Sequence, residues 1–226
     1  MYQLNQLHSE ALSVSDESKL YNFHWNSTNK NAGNIGNITP VHCACINPNG
    51  EILKKILDGG GDLHSADIDG WQAIHYAAAC KSSGPIKVLL EWGAMVDGQI
   101  KNKITPLHIA AMYGWAENCW EILKKSAHSL KVRVKNTSLT PLGYACINGD
   151  IETVKVLIEF GSKKGTAVGL ERMPPLLLAI SNNHYELTKY FVNELKVWLV
   201  SKDKFKRTPL IIAVMNGFID IASFLL

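Results

Sequence analysis

Residues 105–110 read Thr105 Pro106 Leu107 His108 Ile109 Ala110, and the chain returns to this phrase at a nearly fixed interval. Upstream it stands as Thr39 Pro40 Val41 His42 Cys43 Ala44 and Gln72 Ala73 Ile74 His75 Tyr76 Ala77. Downstream it stands as Thr140 Pro141 Leu142 Gly143 Tyr144 Ala145, Pro174 Pro175 Leu176 Leu177 Leu178 Ala179 and Thr208 Pro209 Leu210 Ile211 Ile212 Ala213. The starts lie 33, 33, 35, 34 and 34 positions apart, the spacing of a stacked-repeat protein.

Each copy predicts the start of a short helix. The Thr hydroxyl caps free amide groups, and Pro is tolerated at the first helical position. The recurring alanine, Ala44 through Ala213, lets neighbouring helices approach closely. Gly114, Gly149 and Gly217 then predict left-handed stops, with Asn183 the next most permissive residue at the same place. A second amphipathic segment follows each time, over 52–57, 86–90, 119–123, 154–158, 187–192 and 219–226. Gly- and Asp-bearing stretches such as Asp67 Ile68 Asp69 Gly70 suit tight reversals between pairs. One helix pair cannot bury its own apolar faces, so stability has to come from stacking.

These residues resemble the ankyrin repeat, a β-turn and two antiparallel helices carrying TPLHxA about every 33 residues. Thr105–Ala110 matches the phrase in full, and the resemblance covers residues 39–226. It implies an all-α fold, an ankyrin-repeat solenoid of stacked helix-turn-helix units with protruding β-hairpin loops. Six repeats are expected, starting near 39, 72, 105, 140, 174 and 208, the last of them truncated. Residues 1–38 are expected to form a degenerate N-terminal capping repeat and an Asn/Gly-rich loop. The chain stops at Leu226 inside a helix, so the expectation is a piece of a longer protein. Departures stand at Gly143, Leu177 and Ile211 in the His slot, and at Pro48 and Lys81 in the helix-stop slot.

Composition agrees with a packed fold: 46% of the 226 residues are hydrophobic and 19% charged. No apolar run is long enough to span a membrane, and the first ten residues lack a secretory layout. Five cysteines without a CxxC pair argue for reduced thiols and a cytoplasmic protein, with the nucleus open. Three Asn-x-Ser/Thr sequons, at Asn26, Asn37 and Asn136, read as chance. The net charge of +3 divides unevenly, −4 over residues 1–100 and +7 over 101–226, which assigns electrostatic steering to the second half.

No HExxH, GxSxG, P-loop or GxGxxG pattern is present, so no catalytic residues, cofactor or metal are expected. His42, His75 and His108 share one slot, and the resemblance implies that each bonds the turn backbone of the next hairpin. Cys43 and Cys45 read as core thiols. Trp25, Trp92, Trp120 and Trp198 read as packing between repeats.

The resemblance also implies binding on the concave side, through the residue before the phrase and those after the alanines. Trp71, Ile104, Met112, Tyr113, Leu139 and Ile147 would form an apolar strip there, flanked by Cys80 and Asn148. It is either an interface or packing of hairpins onto helices. Basic residues recur at the fingertips, including Lys101, Lys103, Lys135, Lys204 and Arg207. They form a ridge for an acidic partner segment, or they are ordinary solvated loop charges. The expectation is a non-catalytic, monomeric protein-binding scaffold for signalling, with no small-molecule substrate. The alternative is the recruiting or regulatory arm of a larger enzyme, such as a kinase, acyltransferase or ubiquitin ligase. Nucleic acid and membrane rank last, because aromatics are not seen to interleave with the fingertip lysines.

Overall fold

The computed structural model describes residues 36–226. The expected capping repeat therefore falls almost wholly outside the described residues. Among the described residues twelve α-helices are present, in six pairs. The first helices are α1 Pro40–Ile46, α3 Ala73–Ala79, α5 Pro106–Tyr113, α7 Pro141–Asn148, α9 Pro175–Ser181 and α11 Pro209–Met215. Their partners are α2 Gly50–Asp58, α4 Gly84–Glu91, α6 Ala116–Lys125, α8 Ile151–Glu159, α10 Tyr185–Lys189 and α12 Ile219–Leu225. No described helix is long and apolar enough to cross a membrane.

The chain divides into two compact units, one ending at Ala94 and one running from Met95 to Leu226. In the first, α1 packs on α3, α2 on α4, and each first helix on its own partner. In the second, α5, α7, α9 and α11 stack in series, with α6 on α8 and α10 on α12. The alanine of the phrase is buried in every copy, as close helix approach requires. The second helices bury Leu53 and Leu57, Ile86 and Leu89, Ile122 and Leu123, Val154 and Leu157, then Leu187 and Ile221.

Local chemistry sets the helix ends. Thr105, Thr140 and Thr208 each accept a hydrogen bond at Oγ1 from the amide three residues on, at 3.3–3.4 Å. Asp150 does the same for α8, accepting from the Thr153 amide at 2.7 Å. Gly114, Gly149, Gly217 and Asn183 all adopt positive φ, between 59° and 86°, and end their helices as the sequence predicts. Where Pro48 and Lys81 take that slot, α1 and α3 end instead in extended residues, Asn47 (ψ 127°) and Cys80 (ψ 141°). A residue before proline is driven to that region, which accounts for Asn47.

Two expectations are refined. The protruding loops contain no strand among the described residues. Single β-bridges close three of them, Ala66 with Gln72, Ile100 with Ile104 and Val168 with Met173. The helix expected over 187–192 is α10 followed by a π-turn, Tyr190–Glu194, in which the Leu195 amide donates to the Tyr190 carbonyl at 3.1 Å. Thirteen positions separate the left-handed residues Asn183 and Lys196, against twelve between Gly149 and Gly161. The π-turn absorbs this extra residue.

Candidate functional site

The His slot builds the supports of the fingers. The His108 Nδ1 accepts from the Thr105 amide at 3.2 Å, so its Nε2–H donates to the Val132 carbonyl at 3.1 Å. His42 repeats the arrangement with the Thr39 amide and the Ser65 carbonyl, both at 3.0 Å. Burial pushes both imidazoles below their ordinary value, His108 to about 4. They stay neutral and structural. At Gly143 the slot is filled from outside: a Cβ there would meet Leu139 at 3.0 Å and Val168 at 3.1 Å. The missing ring is replaced by two aliphatic side chains.

On these supports the fingers of the second unit join edge to edge. The Lys135 amide donates to the Asn102 carbonyl at 2.7 Å, Gly169 to Ser138 at 3.1 Å, and Lys204 to Glu171 at 2.9 Å. In the first unit Ile68 donates to Gly36 at 3.0 Å. Side chains add cross-links: Arg133 donates to the Ser138 and Ala167 carbonyls at 3.2 Å, and the Lys204 Nζ to the Leu170 carbonyl at 3.1 Å. Four successive fingers thus form one bonded ridge.

That ridge carries exposed Lys101, Lys103, Lys135 and Lys204, none in an ion pair among the described residues. Arg207 differs. Its Nε donates to Asp203 at 2.5 Å and its Nη2 to Glu171 at 2.6 Å, so its charge is already matched inside the protein. Burial alone would raise the Asp203 carboxyl, yet donors from Arg207 and Phe205 hold it below the usual range. The residue two places before each phrase is left-handed throughout: Asn37, Gly70, Lys103, Ser138, Arg172 and Lys206. Only one of the six is glycine.

The apolar strip separates into surface and core. Met112, Tyr113 and Ile147 are half-buried, Ile104 likewise, and Asn148 is exposed. Tyr113 stacks on Trp115, centroids 6.5 Å apart and planes 16° apart. Trp115 was not singled out in the sequence, although it directly follows the stop at Gly114, where the chain leaves α5. Leu139 and Cys80 are buried instead. Leu139 packs its finger onto the helices near Gly143, and the Cys80 Sγ donates to the Ile46 carbonyl at 3.3 Å. Both side chains are largely closed to solvent. Trp71, in the first unit, sets its ring edge-on to Tyr76 at 5.5 Å and its amide on Asp67 at 2.8 Å.

The tryptophans correct another expectation. Trp92 and Trp198 are exposed rather than packed between repeats, Trp120 is partly exposed but keeps its ring edge-on to Phe160 of the next repeat at 6.4 Å, and Trp25 lies outside the described residues. Aromatics also interleave with fingertip lysines after all: Phe205 stands between Lys204 and Lys206, with the Lys204 Nζ 4.9 Å and the Arg207 guanidinium 4.8 Å from its ring centre.

The family model described as "Ankyrin repeats (3 copies)" matches residues 11–100, 86–168 and 162–226. The chain belongs to the ankyrin-repeat family. Ankyrin repeats are protein-interaction modules. Relatives include the poly [ADP-ribose] polymerase tankyrase of Caenorhabditis elegans, 31% identical over 76% of this chain and 8% of that protein. The tyrosine-protein kinase HTK16 of Hydra vulgaris is 25% identical over 69% of this chain and 21% of that one. The human SH3 and multiple ankyrin repeat domains protein 2 is 28% identical over 55% of this chain and 7% of that one. The ankyrin-repeat chain thus spans under a quarter of the length of each.

Proposed function

We propose that this chain is a non-catalytic binding module that holds an extended, acidic segment of a partner protein along the finger ridge of residues 95–226. Met112, Tyr113 and Ile147 anchor apolar side chains of that segment, and Asn148 bonds its backbone. The observation that carries the reading is the ridge itself. Backbone bonds hold successive fingers in fixed register, so lysines with no ion pair among the described residues repeat along one edge and need little ordering when an anionic chain arrives.

The test is capture of partners by the chain, followed by titration of a captured segment. Exchange of Lys101, Lys103 and Lys135 for Glu is expected to abolish binding, and Tyr113→Ala to weaken it about tenfold, the scale of an interface hot spot. Unchanged affinity in both variants overturns the reading.

A second reading makes the module the recruiting arm of a larger enzyme. It is supported by relatives named as a polymerase and a kinase, of which the matched part is a small share. The full reading frame of the natural gene decides it: a catalytic domain in the same frame supports the reading, and its absence removes it.

A further inference from the structure

We propose that the segment from Lys196 to Lys206 docks the protein on an anionic lipid surface. Trp198 is 79% exposed, Val200 70% and Phe205 58%. The chain's own repeats show that these residues are not a requirement of the fold. Gly60, Gly93, Gly161 and Lys196 mark one left-handed position, and the fourth residue after each is His64, Asp97, Gly165 and then Val200. The second residue after each is Asp62, Met95, Lys163 and then Trp198. The segment after the fifth helix pair thus presents a bulky apolar pair where those after the first, second and fourth pairs have at most one such side chain.

The adjoining finger extends the patch. The Lys204 amide and Nζ bond the carbonyls of Glu171 and Leu170, which brings Leu170, 67% exposed, beside the finger of Phe205. Exposed Lys196, Lys202, Lys204 and Lys206 surround these side chains. The two acids of the adjoining fingers, Glu171 and Asp203, are already bonded to Arg207, Asp203 with its side chain fully buried, and exposed Glu194 precedes the segment. What faces outward is apolar and positive.

That pairing fits a bilayer interface better than a nucleic acid or a peptide. Trp favours the headgroup layer, Val, Leu and Phe the acyl boundary, and lysines extend to anionic headgroups. A base would need an open ring face, and the Phe205 ring already carries Lys204 and Arg207. Val200 and Leu170 offer a base nothing. Trp198 and Phe205 stand out from the surface, while Val200 also borders a cleft with Leu199, Pro209 and Leu225. Docking of this kind is peripheral and independent of partner binding through Tyr113.

The experiment is co-sedimentation of the chain with vesicles of phosphatidylcholine, with and without phosphatidylserine. Sedimentation is expected only with the anionic vesicles, accompanied by a blue shift in Trp emission that Trp198→Phe removes. The pair Trp198→Ala and Phe205→Ala should lower partitioning at least about tenfold, and the pair Lys202→Glu and Lys206→Glu should abolish it. Tyr113→Ala should sediment as the parent does. The altered residues of the segment are exposed and Tyr113 is half-buried, and far-ultraviolet circular dichroism verifies that the variants fold. Failure to sediment with anionic vesicles overturns the proposal. So does sedimentation indifferent to Trp198 and Phe205, or tighter binding to duplex DNA or polyglutamate that depends on the same two rings.

Discussion

His184 lies directly over Gly149: its Nε2–H donates to the Ile147 carbonyl at 2.7 Å, and a Cβ on Gly149 would fall 2.3 Å from its Nδ1. The end of α7 is thereby fixed to the start of α10 in the next repeat. Gly149 also needs its φ of +86°, so Gly149→Ala meets both backbone strain and a ring it would displace. A loss of about 3 kcal/mol is expected, read from the urea midpoint. Gly217→Ala provides the control. Its φ is +71° but the space beside it is open, and about 1 kcal/mol is expected. Equal losses would show that the ring over Gly149 contributes nothing.

Stability should fall in mild acid, and His108 sets the direction. Its folded value, about 4, lies below the ordinary 6.5, so between these values the unfolded chain binds the proton that the folded chain refuses. The contribution is complete above about pH 6.5 and is lost as pH falls toward 4, with a ceiling of about 3 kcal/mol. His42 acts in the same direction. Urea unfolding at about pH 7 and about pH 5 measures the slope, and His108→Gln should flatten it. A parent protein with no slope would refute the assignment.

Much of this was legible from one phrase because its chemistry is local. Thr-Pro starts a helix, alanine admits a neighbour, and Gly114 or Asn183 ends the turn wherever the repeat is placed. The surface was less legible, because which side a residue faces depends on the next repeat. Leu139 and Cys80 share slots with less buried residues, yet one is covered by Gly143 and by Gly169 of the next finger, and the other by the Ile46 backbone. Arg207 reads as a fingertip cation in the sequence, yet Asp203 and Glu171 hold it in the fold. Trp198 misled in the opposite sense, since an apolar residue beside a helix reads as core whenever only its own chemistry is known.

The left-handed fingertip residues predict a trade between stability and binding. Lys103, Arg172 and Lys206 have φ of 64°, 52° and 63°, where Gly70 stands in the first unit at 84°. A Cβ in this region is strained, so replacing any of the three with Gly should raise stability by about 1 kcal/mol. Lys103→Gly should at the same time weaken an acidic partner segment. The two readouts are thermal unfolding and titration with that segment. A stabilised variant with full affinity would mean that Lys103 stands outside the binding ridge.

Arg207→Lys tests whether matched charge, rather than charge alone, holds the last finger. Arginine reaches Asp203 through Nε and Glu171 through Nη2, and the buried Asp203 also accepts from the Phe205 and Arg207 amides at 2.9 Å. A lysine places one ammonium where a fork is needed, leaving either Glu171 free or the buried carboxylate short of a donor. The expected cost is about 2 kcal/mol, with faster amide exchange at Lys204, whose bond to Glu171 ties this finger to the one before it. Lys103→Arg, which alters an unpaired fingertip cation, should leave stability unchanged. If Arg207→Lys is equally silent, the fingers are held by their backbone bonds alone.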